Sequence, residues 1–235
     1  NWLAKWFLYK SERIAVKNAD KIIADNIGIK NYLMNKYNVE SSFIAYGGDH
    51  AKKIKISKKI LKKNFFLKTP YAFKVCRIEP ENNIELILEA FSVYKSLNIV
   101  IVGNWNNSSY GKRIKKTFQF FNNIFLLDSI YSQNILDQYR SNCKLYIHGH
   151  SAGGTNPSLV EAMFLGLPIF AFNVNYNIET TNSSALYFNN SNELRNLLQA
   201  TSENDLLLVG EKMKDIAYSK YKWKYIAKKY KALFE

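Results

Sequence analysis

Between Tyr71 and Phe188, short apolar runs alternate with segments whose apolar residues recur at helical spacing, and only a few residues link one to the next. No other feature restricts the fold as strongly. Strands joined through helices over short loops lie parallel, and a parallel sheet needs cover on both faces. The strand-like runs are Tyr71–Ile78, Ile99–Val102, Ile124–Leu127, Leu145–Ile147, Pro168–Phe172 and Ala185–Phe188. One helix is expected from about Asn83, with Ile84, Ile87, Leu88, Phe91 and Tyr94 on one face. Others are expected over Tyr110–Phe121, from a Ser132 cap through Ile135, Leu136, Tyr139 and Cys143, and over Pro157–Leu165. The expected class is therefore α/β, a doubly wound parallel sheet. Ligands of such sheets bind beyond the carboxyl ends of the strands, where the strand order reverses. That rule directs attention to Arg77, Gly103 to Trp105, Asp128, His148 to Thr155 and Asn173.

The flanks are less regular. Asn1 to Asn18 has the pattern of an amphipathic helix carrying Leu3, Trp6, Phe7, Ile14 and Ala15. A strand over Lys21–Asp25, a helix over Ile27–Tyr37 and a strand over Ser42–Tyr46 follow, the last halted by Gly47-Gly48. A basic connector then runs to about Pro70. After Phe188 helices continue to the end, the last one basic and carrying Trp223, Tyr225, Ile226 and Tyr230.

Hydrophobic residues make up 47% of the 235, enough for a buried core, which excludes a disordered chain. Cys76 and Cys143 have neither zinc-like nor CxxC spacing and read as small core residues in a reducing cytosol. No apolar run is long enough to span a bilayer and no signal peptide is visible, so a cytoplasmic location is expected. The net charge of +14 favours an anionic partner: nucleic acid, an anionic membrane surface or a phosphorylated ligand. Residues 1 to 63 hold fourteen Lys/Arg against five Asp/Glu, with a dense lysine run from Lys52 to Lys63.

The most informative local signal is Gly153-Gly154-Thr155-Asn156-Pro157-Ser158-Leu159-Val160-Glu161-Ala162. Asn156 suits a helix N-cap and Pro157 the first helical position. The N–H groups of Ser158 and Leu159, with the helix dipole, would then form an anion site, and the glycines would let backbone approach a phosphate. Glu161 lies three residues beyond Ser158 on the same face, where a carboxylate can accept two hydrogen bonds from a ribose diol. The alternative is a glycine-rich loop before a buried helix, with Glu161 held by a local partner. The rest of that helix is nearly all apolar, so Glu161 needs some partner.

A second signal is Val75-Cys76-Arg77-Ile78-Glu79-Pro80-Glu81-Asn82-Asn83. An Arg after the first sheet strand sits at the mouth of the crevice and can clamp a diphosphate, or else pair with Glu79 or Glu81. His148 and His150 suit phosphate, base or sugar contacts or ordinary loop roles; no third ligand has metal-site spacing. Asp128 and Tyr131 are candidates to frame a base.

These residues carry a resemblance. Arg77 to Glu85, followed by Leu88-Glu89-Ala90-Phe91, resembles the strand–helix entry of retaining glycosyltransferases of family 4, enzymes with two facing Rossmann-like domains. Gly153 to Ala162, followed by Gly166-Leu167-Pro168, resembles their nucleotide-sugar loop and helix. The resemblance implies that Arg77 holds the donor diphosphate and Glu161 the ribose. Asn82 stands where the family usually has a lysine, and Gly153 where it has the first of two glutamates. Donor contacts are accordingly expected from Arg77, Asn82, His148, Gly153, Gly154, Thr155, Asn156, Ser158, Leu159 and Glu161, with no metal and no cofactor beyond the nucleoside diphosphate sugar itself. No catalytic base is identified.

The pattern is most similar to rhamnosyltransferases of bacterial capsule and O-antigen assembly. That likeness implies a dTDP-rhamnose donor and a lipid-linked saccharide acceptor. It also implies a division into residues 1–46, a remnant of an acceptor-binding domain; 47–220, a donor-binding domain; and 221–235, a helix crossing back. Basic, aromatic-rich ends suit a protein peripheral at the inner face of a membrane, although Trp2, Trp6 and Phe7 equally suit packing against further acceptor-domain structure. The rival reading is a nucleic-acid-binding module, with lysines on phosphates and tyrosines stacking on bases. No nucleic-acid motif accompanies it, and nucleic acid is not the expected partner. A non-catalytic nucleotide-sugar-binding protein is a third.

Overall fold

The computed structural model describes residues 2–235; Asn1, the first residue of the expected opening helix, lies outside the described residues. The chain begins with α1 (Trp2–Asn18), β1 (Ile23–Ala24), α2 (Ile27–Tyr37) and β2 (Ser42–Phe43). After α3 (Lys58–Lys63) come β3 (Tyr71–Val75), α4 (Ile84–Val93), β4 (Asn98–Val102), α5 (Ser109–Phe118), β5 (Ile124–Leu127), α6 (Gln133–Arg140), β6 (Leu145–His148) and α7 (Pro157–Phe164). Then follow β7 (Ile169–Phe172), α8 (Asn175–Thr180), β8 (Leu186–Phe188), α9 (Ser191–Ala200), α10 (Glu203–Lys220) and α11 (Trp223–Lys231).

Six strands form one parallel sheet in the order β5-β4-β3-β6-β7-β8, which is the α/β, doubly wound, Rossmann-like class expected from the sequence. β1 and β2 make a separate parallel pair. The strands of the main sheet are apolar on both faces because helices cover both. Tyr71, Phe73, Val100, Val102, Tyr146, Ile169 and Ala171 face a core that includes Met163 of α7, Met213 of α10 and Ile226 of α11. Ala72, Ile99, Ile101, Leu145, Ile147 and Phe170 face another, closed by α4, α5 and α9. Each large aliphatic side chain so buried contributes about 1.5–3 kcal/mol by transfer from water. The chain order reverses direction between β3 and β6, which opens a crevice past Val75 and His148.

Several elements depart from the sequence reading. The expected strands over 21–25 and 42–46 shrink to two residues each, since they pair only with one another. The connector before Pro70 contains α3 and a 3-10 turn over Phe65–Lys68. Its residues 52–57 are strapped to α6: Lys52 N–H donates to Asp137 Oδ2 (3.1 Å), Ile54 N–H to Ser141 Oγ (3.0 Å) and Ser57 N–H to Gln138 Oε1 (2.9 Å). This strap changes which face of α6 is buried. Asp137, Gln138 and Arg140 are buried along with Tyr139, whereas Ile135 is 41% exposed, and Ser132 stands at the N-cap without a side-chain cap bond. Cys143 is buried but Cys76 only half-buried. α8 has no apolar period to announce it. It is pinned by the Asn177 amide, which donates to the carbonyls of His150 (2.9 Å) and Phe172 (2.8 Å). None of α1's residues is buried; Trp2 and Trp6 are 74% and 55% exposed.

Ile147 is fully buried in a central strand. Ile147→Ala is expected to cost about 2–5 kcal/mol, read as a lowered urea midpoint with an unchanged slope.

Candidate functional site

The loops leaving β3 and β6 are stitched together across the crevice. The Asn82 amide donates to Arg77 O (3.0 Å), Asn83 donates to Gly149 O (2.8 Å), and Ser151 donates to Glu81 O through its N–H (2.8 Å) and hydroxyl (3.0 Å). His150 Nδ1 lies 3.2 Å from Asn82 Oδ1. These bonds frame a cavity of about 410 Å³ lined by Arg77, Asn82, His150, Asn156, Ser158 and Glu161, among others. Two distant sequence signals, the stretch after the first strand and the stretch around Pro157, thus meet at one opening.

Arg77 is exposed and forms no ion pair with Glu79 or Glu81, so its fork of donors faces the cavity mouth without an acidic partner among the described residues. Across from it α7 starts as its sequence dictates. Asn156 has extended backbone and caps the helix, and Pro157 follows where no N–H is needed. The cap alters one expectation. Ser158 N–H donates to Asn156 Oδ1 (3.0 Å) and Leu159 N–H to Asn156 O (3.1 Å), so neither N–H is free in this structure. An anion at this helix start would meet the dipole, the Ser158 hydroxyl and Arg77, and would reach those N–H groups only by displacing the Asn156 side chain. Tyr146 OH donates to Ser158 Oγ (3.0 Å), and Ser158 Oγ in turn donates to Asn156 Oδ1 (2.8 Å).

The glycine loop docks onto the β1 end of the chain. Gly153 has φ +82°, a conformation open to glycine. A Cβ at Gly154 would collide with the Asp25 carboxylate. The buried Thr155 hydroxyl donates to Asp25 O, and Asn26 caps α2 while its amide donates to Tyr176 O (3.2 Å). Burial raises the Asp25 carboxyl above its ordinary range, opposed by the contact with Thr155. Gly153, Gly154 and Thr155 therefore line a seam between the short N-terminal pair and the main sheet. They and the buried Leu159 side chain are absent from the residues lining the cavity.

His148 also lies behind the site. It is 2% exposed, stacks on Tyr146 at 6.2 Å and has neither ring nitrogen hydrogen-bonded. Burial, then the Lys74 amine, then His150 hold its pKa well below the usual histidine value; burial and Lys74 lower His150 likewise. Asp128 and Tyr131 stand apart from this cavity. Asp128 pairs with Lys115 (3.3 Å) and, with Gly103 to Asn107, borders a second opening beyond β4 and β5, while Tyr131 is 92% exposed.

Glu161 has the partner its apolar helix demands, and the sequence reading missed that partner. Arg140, at the end of α6 and fully buried, donates from one nitrogen to Glu161 Oε2 and from the other to Asp137 Oδ1 (2.7 Å). Burial alone would lower the Arg140 pKa; the charge of Glu161 and the bond to Asp137 outweigh it, so the guanidinium stays charged. On the other oxygen, His50 Nε2 lies 2.6 Å from Glu161 Oε1. A signal for Arg140 was available. In α/β order the helix before β6 neighbours the helix after it, and Arg140 is the one cation in the 132–143 segment.

Known proteins share both the family pattern and the fold. The family model described as "Glycosyl transferases group 1" matches residues 55–223, and "Domain of unknown function (DUF1972)" matches residues 2–49. No curated protein matches the chain. Similar solved structures include Anabaena Alr3699/HepE in complex with UDP and glucose (TM-score 0.81, 15% identity, 97% of this chain and 66% of that one). Sucrose-phosphate synthase (tll1590) from Thermosynechococcus elongatus is similar at TM-score 0.79 and 17% identity, over 95% of this chain and 59% of that one. TarM is similar at TM-score 0.71 and 22% identity, over 96% and 46%. At such identities the likeness is one of fold. The chain spans 46% to 66% of the length of these three structures.

Two outcomes follow. Arg140→Met leaves the Asp137 and Glu161 carboxylates without the cation that both of them hold. It is expected to cost about 3–5 kcal/mol in chemical denaturation, more than Glu161→Gln. His148 has a folded pKa below its ordinary 6.5, so the unfolded chain binds more protons between the two values. Its contribution is intact above pH 6.5 and is lost as pH falls below it, by at most about 1.4 kcal/mol per pH unit. Melting temperatures measured from pH 7 downward should fall less steeply in His148→Phe than in the unaltered chain.

Proposed function

The chain belongs to the glycosyl transferases group 1 family, and on that premise we propose that it is the donor-binding portion of a retaining family 4 enzyme that transfers rhamnose from dTDP-rhamnose to a lipid-linked glycan in surface polysaccharide synthesis. The observation that carries the reading is the single cavity at the β3–β6 switch point, where Arg77, the capped start of α7 and Glu161 converge. Each has a role that its chemistry suits. Arg77 clamps the diphosphate through two donors and stabilises the charge that develops as the nucleoside diphosphate leaves. The α7 dipole and Ser158 support the same charge. Asn82 and His150 face the sugar side, and Glu161 receives a hydroxyl of the nucleoside sugar. The similar Anabaena protein HepE forms a complex with UDP and glucose, which supports a nucleotide-sugar ligand for this fold.

In this reading residues 1–46 belong to an acceptor-binding domain, 47–220 bind the donor and 221–235 cross back. The protein works in the cytoplasm, at the inner face of the membrane that carries its acceptor. The exposed lysines from Lys52 to Lys63 and the exposed Trp2, Trp6 and Phe7 suit that surface. No helix among the described residues is long and apolar enough to cross a membrane.

Calorimetric titration with dTDP, UDP, GDP and ADP at two salt concentrations tests the donor reading. One nucleotide is expected to bind saturably, and Arg77→Ala and Glu161→Ala should each weaken it about tenfold or more. Binding of all four alike, abolished by salt and indifferent to both substitutions, would count against it. Tight oligonucleotide binding under those conditions would favour a nucleic-acid module instead.

A further inference from the structure

Glu161 presents two unlike oxygens. Oε2 points inward to Arg140, whose side chain is fully buried. Oε1 meets His50, whose side chain is 41% exposed. The outward oxygen is therefore occupied before any ligand arrives.

The proton on His50 can be placed. Trp223 Nε1 lies 3.2 Å from His50 Nδ1, and an indole nitrogen only donates. Nδ1 is thus the acceptor, and the neutral ring carries its proton on Nε2, aimed at Glu161 Oε1 2.6 Å away. Trp223 is itself held, since its backbone N–H donates to Asp49 Oδ1 (2.9 Å). The result is a directed chain from α11 through residues 49–50 to α7: Trp223 to His50 to Glu161. To the carboxylate, an imidazole N–H is the same kind of neutral donor as a sugar hydroxyl.

A carboxylate oxygen accepts about two hydrogen bonds. With His50 on Oε1, one position remains on the outward side. A cis diol brings two hydroxyls; a 2′-deoxyribose brings one, at the 3′ position. We infer that His50 is a specificity-determining residue that stands in for the ribose 2′-hydroxyl, so that the site selects 2′-deoxynucleoside over ribonucleoside diphosphates. A ribonucleotide either leaves its 2′-hydroxyl without an acceptor or displaces His50 and strands the Trp223 N–H; both weaken binding. This rests on the donor reading above, whose dTDP already carries a 2′-deoxyribose, and adds the residue that selects it.

The test compares dUDP with UDP, which share a base and differ by one oxygen, in calorimetric titrations of the full 235-residue chain. The unaltered chain is expected to bind dUDP about three- to tenfold more tightly, the worth of one neutral hydrogen bond. His50→Ala should reduce that ratio to about one or reverse it, chiefly by improving UDP. Trp223→Phe keeps the ring but removes the donor that orients His50, and should shift the ratio the same way by less. Thermal unfolding of each variant identifies any that fails to fold, and Trp223→Phe then carries the test if His50→Ala does. UDP binding as tightly as dUDP in the unaltered chain overturns the inference while leaving the donor reading in place. Folded variants that keep the full preference overturn it too. If dUDP, UDP and dTDP all fail to bind, the donor reading falls and this inference with it.

Discussion

A guanidinium with no exposed surface is tolerable only where its charge and its donors are answered. Arg140 meets that condition by joining Asp137 on its own helix to Glu161 on the next, across the strand between them. Much of the site follows from this contact. Asp137 uses its second oxygen to hold the N–H of Lys52, which draws the 52–57 strap onto α6. Glu161 uses its second oxygen to hold His50, which ties the residues just before the strap to α7 and, through Trp223, to α11. One buried cation therefore orders three segments far apart in sequence. It also fixes the direction of the carboxylate that borders the cavity. The Arg140 Nε is left without a partner, a small cost inside an otherwise answered network.

The second constraint is topological. Reversal of strand order between β3 and β6 leaves two strand ends with no crossover helix above them, and the loops there are free to carry chemistry. This chain uses side-chain amides to hold those loops. Asn82, Asn83 and Asn177 each bridge to a backbone carbonyl across or beside the crevice. Such bonds set the width of the opening with short side chains that lose little entropy on ordering. Behind them, Lys74 and His148 are buried, and burial lowers the pKa of both.

Much of this was legible beforehand. Six strand runs and the helices α4 to α7 between the first five of them emerge from periodicity, because a strand buried on both faces must be continuously apolar. Asn156-Pro157 marks the start of α7 by capping chemistry alone, and Arg77 follows the first strand by position. The polar face of α6 was not legible. Ile135 and Leu136 suggest an apolar face, yet the strap over 52–57 offers unsatisfied N–H groups that Asp137, Gln138 and Ser141 answer. α8 was missed because side-chain bonds from Asn177 hold it, without apolar spacing. The glycines at 153 and 154 announce a close approach, but not that Asp25 is what approaches.

The sequence by itself determined the class of fold, the edge of the sheet where the cavity opens and the kind of helix start that waits there. These depend on interactions within one element or between chain neighbours, and such interactions leave a period or a cap in the sequence. Only the tertiary structure decided which partner each buried polar group takes. Arg140 on Glu161, His50 on the same carboxylate and Trp223 on His50 join residues 21, 111 and 173 positions apart. Hydrogen bonds of that kind follow from where the core packing brings two groups, and no local pattern records it.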